Sequence, residues 1–113
     1  MKIETINITE SLRNVVTEKE KSLLRLMSEL PNQYKAITFA TSMGAEDMVI
    51  THALNKINSP IEIFTLDTGR LHQETYDLIS EVNQNYSTQI KVYSPSSNDV
   101  ENYVSVYGIN DFL

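Results

Sequence analysis

The sequence predicts an α/β domain built on a small parallel sheet and preceded by N-terminal helices. Three observations carry that expectation. Short β-prone runs alternate with helical stretches from residue 36 onward. The links between them are short. Glycine and proline, three of each in 113 residues, are rare enough that their positions read as punctuation. A strand–helix–strand–helix–strand order with short links implies right-handed crossovers and parallel strands.

Each element has its own signal. Thr17 followed by Glu20 has the form of a capping box, opening a helix through Leu23, Leu24, Met27 and Leu30 that Pro31 stops. A shorter, weaker helix is expected over residues 9–16. Residues 36–40 form the first β-prone run, and a polar link leads to a helical stretch through Met48, Val49, Ile50, Ala53, Leu54 and Ile57. Pro60 precedes the second strand at residues 61–66, and residues 67–70 turn away from it. Thr75, Ile79, Val82 and Tyr86 recur at helical spacing and mark one face. Residues 90–93 read as a third strand. Asn98 with Glu101 caps a last helix, which Gly108 ends. Residues 1–34 are thus N-terminal helices, and residues 35–113 a βαβαβα portion, in one small domain with an expected radius of gyration of about 13 Å.

Composition narrows the function. Lys and Arg number 9 against 15 Asp and Glu, a net charge of −6, so nucleic-acid and anionic-membrane partners are not expected. The whole excess lies in residues 57–113, where only Arg70 and Lys91 face eight acids. That pattern reads equally as a soluble surface or as a piece lacking a basic partner segment. Cysteine is absent, which excludes disulfides, zinc–cysteine sites, cysteine-held iron–sulfur clusters and a cysteine nucleophile within these residues. No apolar run is long enough for a membrane span or signal-peptide core, and the expected address is cytoplasmic.

In parallel sheets, ligands gather beyond the carboxyl ends of the strands. Two loops fall there. The first, Thr41-Ser42-Met43-Gly44-Ala45-Glu46-Asp47, places a glycine and a serine before a helix N-terminus. That is the minimum of a phosphate or sulfate cradle, although neither the P-loop nor the G-x-G-x-x-G pattern is present. The same residues also read as a plain βα turn with Ser42 as N-cap and Glu46 and Asp47 complementing the dipole. Two acids repel a bound phosphate unless they point away or grip a hydroxyl or the loop backbone; magnesium is a weaker alternative. In the second loop, Asp67 can accept from a ribose or loop hydroxyl, Gly69 permits a positive φ, and Arg70 suits a bidentate phosphate or sulfate contact. The alternative for Arg70 is a surface pair with Asp67 or Glu74. His72 reads as a base or as a plain helix-start residue, and His52 as structural. Tyr86, Tyr93, Tyr103 and Tyr107 suit packing more than base stacking.

The run from Ile37 to Asp47, followed by Leu66-Asp67-Thr68-Gly69-Arg70-Leu71-His72 and Glu74-Thr75-Tyr76, resembles the sulfonucleotide reductases, the adenylyl-sulfate and phosphoadenylyl-sulfate reductases of sulfate assimilation and cysteine biosynthesis. The first loop resembles their modified PP-loop, and the second their L-D-T-G-R-x-x-x-E-T-Y signature. Residues 107–113 resemble a family segment as well. The resemblance implies an adenine-nucleotide α-hydrolase-like, Rossmann-like fold. It implies nucleotide-binding roles for Thr41, Ser42, Met43, Gly44, Glu46 and Asp47 and for Leu66, Asp67, Thr68, Gly69 and Arg70. The expected ligand is adenylyl sulfate or phosphoadenylyl sulfate, with thioredoxin or glutaredoxin as electron donor to the full-length enzyme and a homo-oligomer as its assembly. The Gly44-Ala45-Glu46-Asp47 form leans toward the adenylyl-sulfate type, whose full-length members hold a [4Fe-4S] cluster. The family nucleophile is a cysteine in a C-terminal E-C-G-L-H motif. These 113 residues hold no cysteine, so no catalytic residue, metal ligand or cofactor is expected among them, and the chain is expected to be an N-terminal piece that does not itself reduce. Two other functions fit the residues: an ATP pyrophosphatase or related PP-loop enzyme, although Met43 stands where S-G-G-x-D-S has its first glycine, and a catalytically silent adenine-nucleotide-binding module.

Overall fold

The computed structural model describes residues 9–111. It opens with a single long helix, α1 (Glu10–Gln33), capped by Thr9, whose hydroxyl oxygen accepts from the Leu12 amide at 3.1 Å. The capping box expected at Thr17 does not form a helix start. No breaker separates residues 9 and 31, so the amides near Thr17 already have helical partners and need no cap. Glu20 instead reaches across to Lys56 of the next helix at 2.6 Å. Pro31 also does not stop the chain outright. It lies inside the last turn, where its missing N–H costs one bond, and the helix ends at Gln33.

Three parallel strands follow, β1 (Thr38–Ala40), β2 (Glu62–Leu66) and β3 (Ile90–Tyr93), in the spatial order β1-β2-β3. Phe39 lies opposite Ile63, and Ile63 opposite Ile90. Helices α2 (Ala45–Lys56) and α3 (Gln73–Asn85) make the two crossovers. They cover the sheet face that carries Phe39, Ile63 and Ile90, and the core forms there from Met27, Ala53, Leu54, Ile63, Ile79, Val82 and Ile90. Of the expected α3 face, Ile79 and Val82 are buried and Thr75 and Tyr86 half-buried. The opposite sheet face is open: Leu66 is 63% exposed and Tyr93 48%. Phe64 and Tyr93 meet edge-on there, their centroids 5.9 Å apart.

The chain closes with α4 (Ser97–Tyr107) and a short 3-10 helix, Ile109–Asp111. Ser96, not Asn98, caps α4, accepting from the Asp99 amide at 3.2 Å. Gly108 ends it at φ 86°, as the sequence predicts. No residue of α4 is buried. The radius of gyration is 18.2 Å, well above the compact expectation. The cause is visible in the elements: α1 alone is about 36 Å long, and α4 stands off the core. Phe112 and Leu113, the end of the segment that resembles the reductases, lie outside the described residues.

Candidate functional site

Both loops grow directly out of the sheet. The Thr41 amide donates to the Phe64 carbonyl and the Asp67 amide to the Tyr93 carbonyl, each at 2.8 Å, so strand pairing persists one residue past β1 and β2. Between the loops, at the carboxyl ends of these strands, lies a cleft of about 410 Å³. That volume falls in the range of small-ligand sites.

The first loop is held from within. Thr41 and Met43 are buried, and the Thr41 hydroxyl oxygen accepts from the Met43 amide at 3.0 Å. Met43 takes φ 65°, a left-handed conformation that favours glycine, and its side chain joins the core. The residue that departs from the glycine-rich PP-loop pattern therefore adopts the backbone shape a glycine would give, and the buried thioether offsets the strain. Gly44 is the N-cap of α2 and Ser42 is not. The Ser42 amide and hydroxyl both donate to Asp47 Oδ2, each at 2.7 Å. Those two bonds hold the Asp47 carboxyl below its ordinary 3.8, so it is ionised at neutral pH. The sequence left open whether Asp47 would repel an anion or grip the loop backbone; here it grips the loop. In this structure Ser42 spends both donors on that carboxylate, which leaves the first-turn amides of α2 as the donors facing outward. Glu46 is exposed in the same turn.

The second loop turns on Asp67. Its Oδ1 accepts from the Gly69 amide and from the Tyr76 hydroxyl, both at 2.7 Å. Gly69 has φ 86° with open space where a Cβ would lie. Asp67 and Thr68 are half-buried, and Gly69 and Arg70 exposed. Among the described residues Arg70 makes no ion pair, so the surface pairing with Asp67 or Glu74 is not formed. His72 occupies the N-cap position of α3, where its carbonyl, not its ring, serves the helix by accepting from Thr75 and Tyr76 amides. His52 lies on α2 against the Tyr86 ring, away from both loops.

Of the expected site residues, Thr41, Ser42, Asp47 and Leu66 line the cleft. Met43, Gly44 and Glu46 belong to the first loop without lining the cleft, and Asp67, Thr68, Gly69 and Arg70 form the turn that follows β2. The lining also includes Ala40, Phe64, Thr65, Leu71 and Thr75. Phe64 and Thr65 read in sequence only as strand residues, and Thr75 as part of a core face. Position offers a signal for two of them: Phe64 and Thr65 lie within two residues of the carboxyl end of β2, whereas Thr75 is brought in by α3. An iron–sulfur cluster does not fit these residues. The sequence has no cysteine, and no three His, Asp or Glu side chains converge among the described residues. No described helix is long and apolar enough to cross a membrane.

A parallel sheet whose first two strands open into polar loops above one cleft is the frame of the PP-loop, adenine-nucleotide α-hydrolase-like proteins. More narrowly, the chain belongs to the phosphoadenosine phosphosulfate reductase domain family, whose model matches residues 36–112. It is similar to an adenosine 5'-phosphosulfate reductase of Allochromatium vinosum, 45% identical over 94 residues, covering 83% of this chain and 37% of that protein. Similar proteins of the same description occur in Sinorhizobium fredii strain NGR234, 49% identical over 74 residues (66% of this chain, 30% of the relative), and in Neisseria meningitidis serogroup A, 36% identical over 102 residues (89% and 42%). The matched stretch of the chain thus spans 30–42% of the length of these relatives.

Proposed function

We propose that this chain is the nucleotide-binding portion of an assimilatory sulfonucleotide reductase and that its cleft holds adenylyl sulfate or the 3'-phosphorylated form. The observation that carries the reading is the cleft itself. Loop residues Thr41, Ser42 and Asp47 meet Leu66, Leu71 and Thr75 across it. Asp47 is turned inward onto Ser42, and Arg70 stands in the neighbouring turn without a partner carboxylate among the described residues. The apolar lining from Ala40, Phe64 and Leu66 suits a purine, and the helix start and Arg70 suit the anionic end.

Reduction of the sulfonyl group needs a thiolate, and the 113 residues contain none. The chain therefore binds the nucleotide, while the nucleophile, the thioredoxin or glutaredoxin contact and any [4Fe-4S] cluster belong to the rest of a full-length, cytoplasmic, homo-oligomeric enzyme. Calorimetric titration with adenylyl sulfate, phosphoadenylyl sulfate, AMP and magnesium–ATP tests the reading. A sulfonucleotide should bind more tightly than magnesium–ATP, and Arg70→Ala should weaken it by about 1–3 kcal/mol, the worth of a charge-assisted contact. Preferred binding of magnesium–ATP with release of pyrophosphate would make the protein an ATP-dependent PP-loop enzyme instead.

A further inference from the structure

We infer that Tyr76 is a positioning residue for Arg70: its phenol holds the Asp67 carboxylate turned toward α3 and so keeps it from swinging onto the guanidinium three residues on. The inference deepens the sulfonucleotide reading and rests on it. Asp67 is anchored through its backbone to Tyr93 at 2.8 Å. Its side chain can therefore go only to nearby donors. Two neutral donors take Oδ1, the Gly69 amide from within the turn and the Tyr76 hydroxyl from the first turns of α3, both at 2.7 Å. Together they strap the turn at both ends, from the strand and from the helix.

Arg70 lies inside that strap. Asp67 and Glu74 are the acids close to it in sequence, and neither pairs with it. An aspartate and an arginine three residues apart in a turn lie within ordinary ion-pairing reach. Such a pair would neutralise the cation in the second loop and compete directly with an anionic ligand. The Tyr76 phenol keeps that competitor directed toward α3, through Oδ1, without adding a charge of its own. The contact also holds the phenol above its ordinary 10.0, through the hydrogen bond to Asp67 and through desolvation, so it remains a donor across the neutral range.

The test compares adenylyl sulfate with uncharged adenosine, titrated calorimetrically into the wild-type chain, Tyr76→Phe, Arg70→Ala, the Tyr76→Phe/Arg70→Ala double variant and Tyr76→Phe/Asp67→Asn. Tyr76→Phe should weaken adenylyl sulfate about fivefold or more, the worth of one hydrogen bond, and leave adenosine unchanged. It should add nothing in the Arg70→Ala background. Asp67→Asn should restore affinity to Tyr76→Phe, because an amide keeps the acceptor for Gly69 and loses the charge that captures Arg70. Equal weakening with and without Arg70, or no rescue by Asp67→Asn, would overturn the inference and leave Tyr76 a structural residue. So would a large drop in the melting temperature of Tyr76→Phe. If the wild type binds neither adenylyl sulfate nor adenosine, the nucleotide reading itself fails. The strap is then still judged by hydrogen exchange at the Gly69 amide: faster exchange in Tyr76→Phe upholds it, and unchanged exchange removes it.

Discussion

The two loops at the carboxyl ends of β1 and β2 solve one problem in two ways. Each leaves its strand through one extra ladder bond, and each uses an aspartate to hold a backbone amide of its own loop. They differ in what stands behind that aspartate. In the first loop the left-handed residue is Met43, buried and packed into the core. In the second it is Gly69, with empty space around it. The first loop is thus fixed by the same contacts that fix the fold. The second is fixed by two hydrogen bonds on a single carboxylate oxygen. Such an arrangement suits a rigid floor under a nucleotide and an adjustable arm beside it.

That contrast breaks most visibly at Met43. Met43→Ala deletes a buried side chain yet keeps a Cβ in the left-handed region, and should destabilise the protein by about 2–4 kcal/mol. Met43→Gly deletes the same side chain but relieves the backbone, and should be less damaging than Met43→Ala by about 1 kcal/mol. Urea unfolding of the two variants measures both numbers. If Met43→Gly were the worse of the two, the backbone strain assigned to Met43 would be absent.

In the second loop the order inverts. Gly69→Ala loses no buried surface and meets no neighbour, so its cost is the positive φ alone, roughly 1 kcal/mol. Because the turn is separate from the core, its larger consequence should be in nucleotide affinity. A Gly69→Ala protein with unchanged affinity and a strongly lowered unfolding midpoint would mean that this loop, like the first, is part of the core.

The smallest effect is electrostatic. The Asp47 carboxyl is held below 3.8 by the Ser42 hydroxyl and amide. A depressed folded value means the stabilisation is complete above the ordinary value and is lost as the pH falls through the folded one. Asp47→Asn keeps an acceptor but loses the charge. It should melt slightly below the wild type at pH 7, and the gap should close as the pH falls below the ordinary aspartate value of 3.8. A gap that stayed constant over that range would assign the effect to geometry rather than charge.

Much of this was legible in the sequence. β3 is read from its β-prone residues, the buried pair Ile79 and Val82 from helical periodicity, and both loops from their place after β-prone runs. The aspartate-to-backbone grip in the first loop was one of two outcomes the residues allowed, since two acids beside an anion site must be neutralised somehow. The N-terminal region misled for a physical reason. A Thr-x-x-Glu spacing is also an ordinary pair on one helix face, and nothing between Thr9 and Pro31 tells a helix start from a helix interior. The cleft lining was hidden for another reason. Phe64, Thr65 and Thr75 carry no chemical signature; the strand register and the crossover of α3 alone bring them to the cleft.

The central claim is that one cleft between these two loops receives a sulfonucleotide. Backbone amide shift mapping of the labelled chain during titration with adenylyl sulfate tests it directly. The amides of residues 42–47 and 67–71 should move together and saturate at one affinity, with α1 and α4 unmoved. Shifts confined to α1 and residues 48–56, or no saturable shift at either loop, would contradict it.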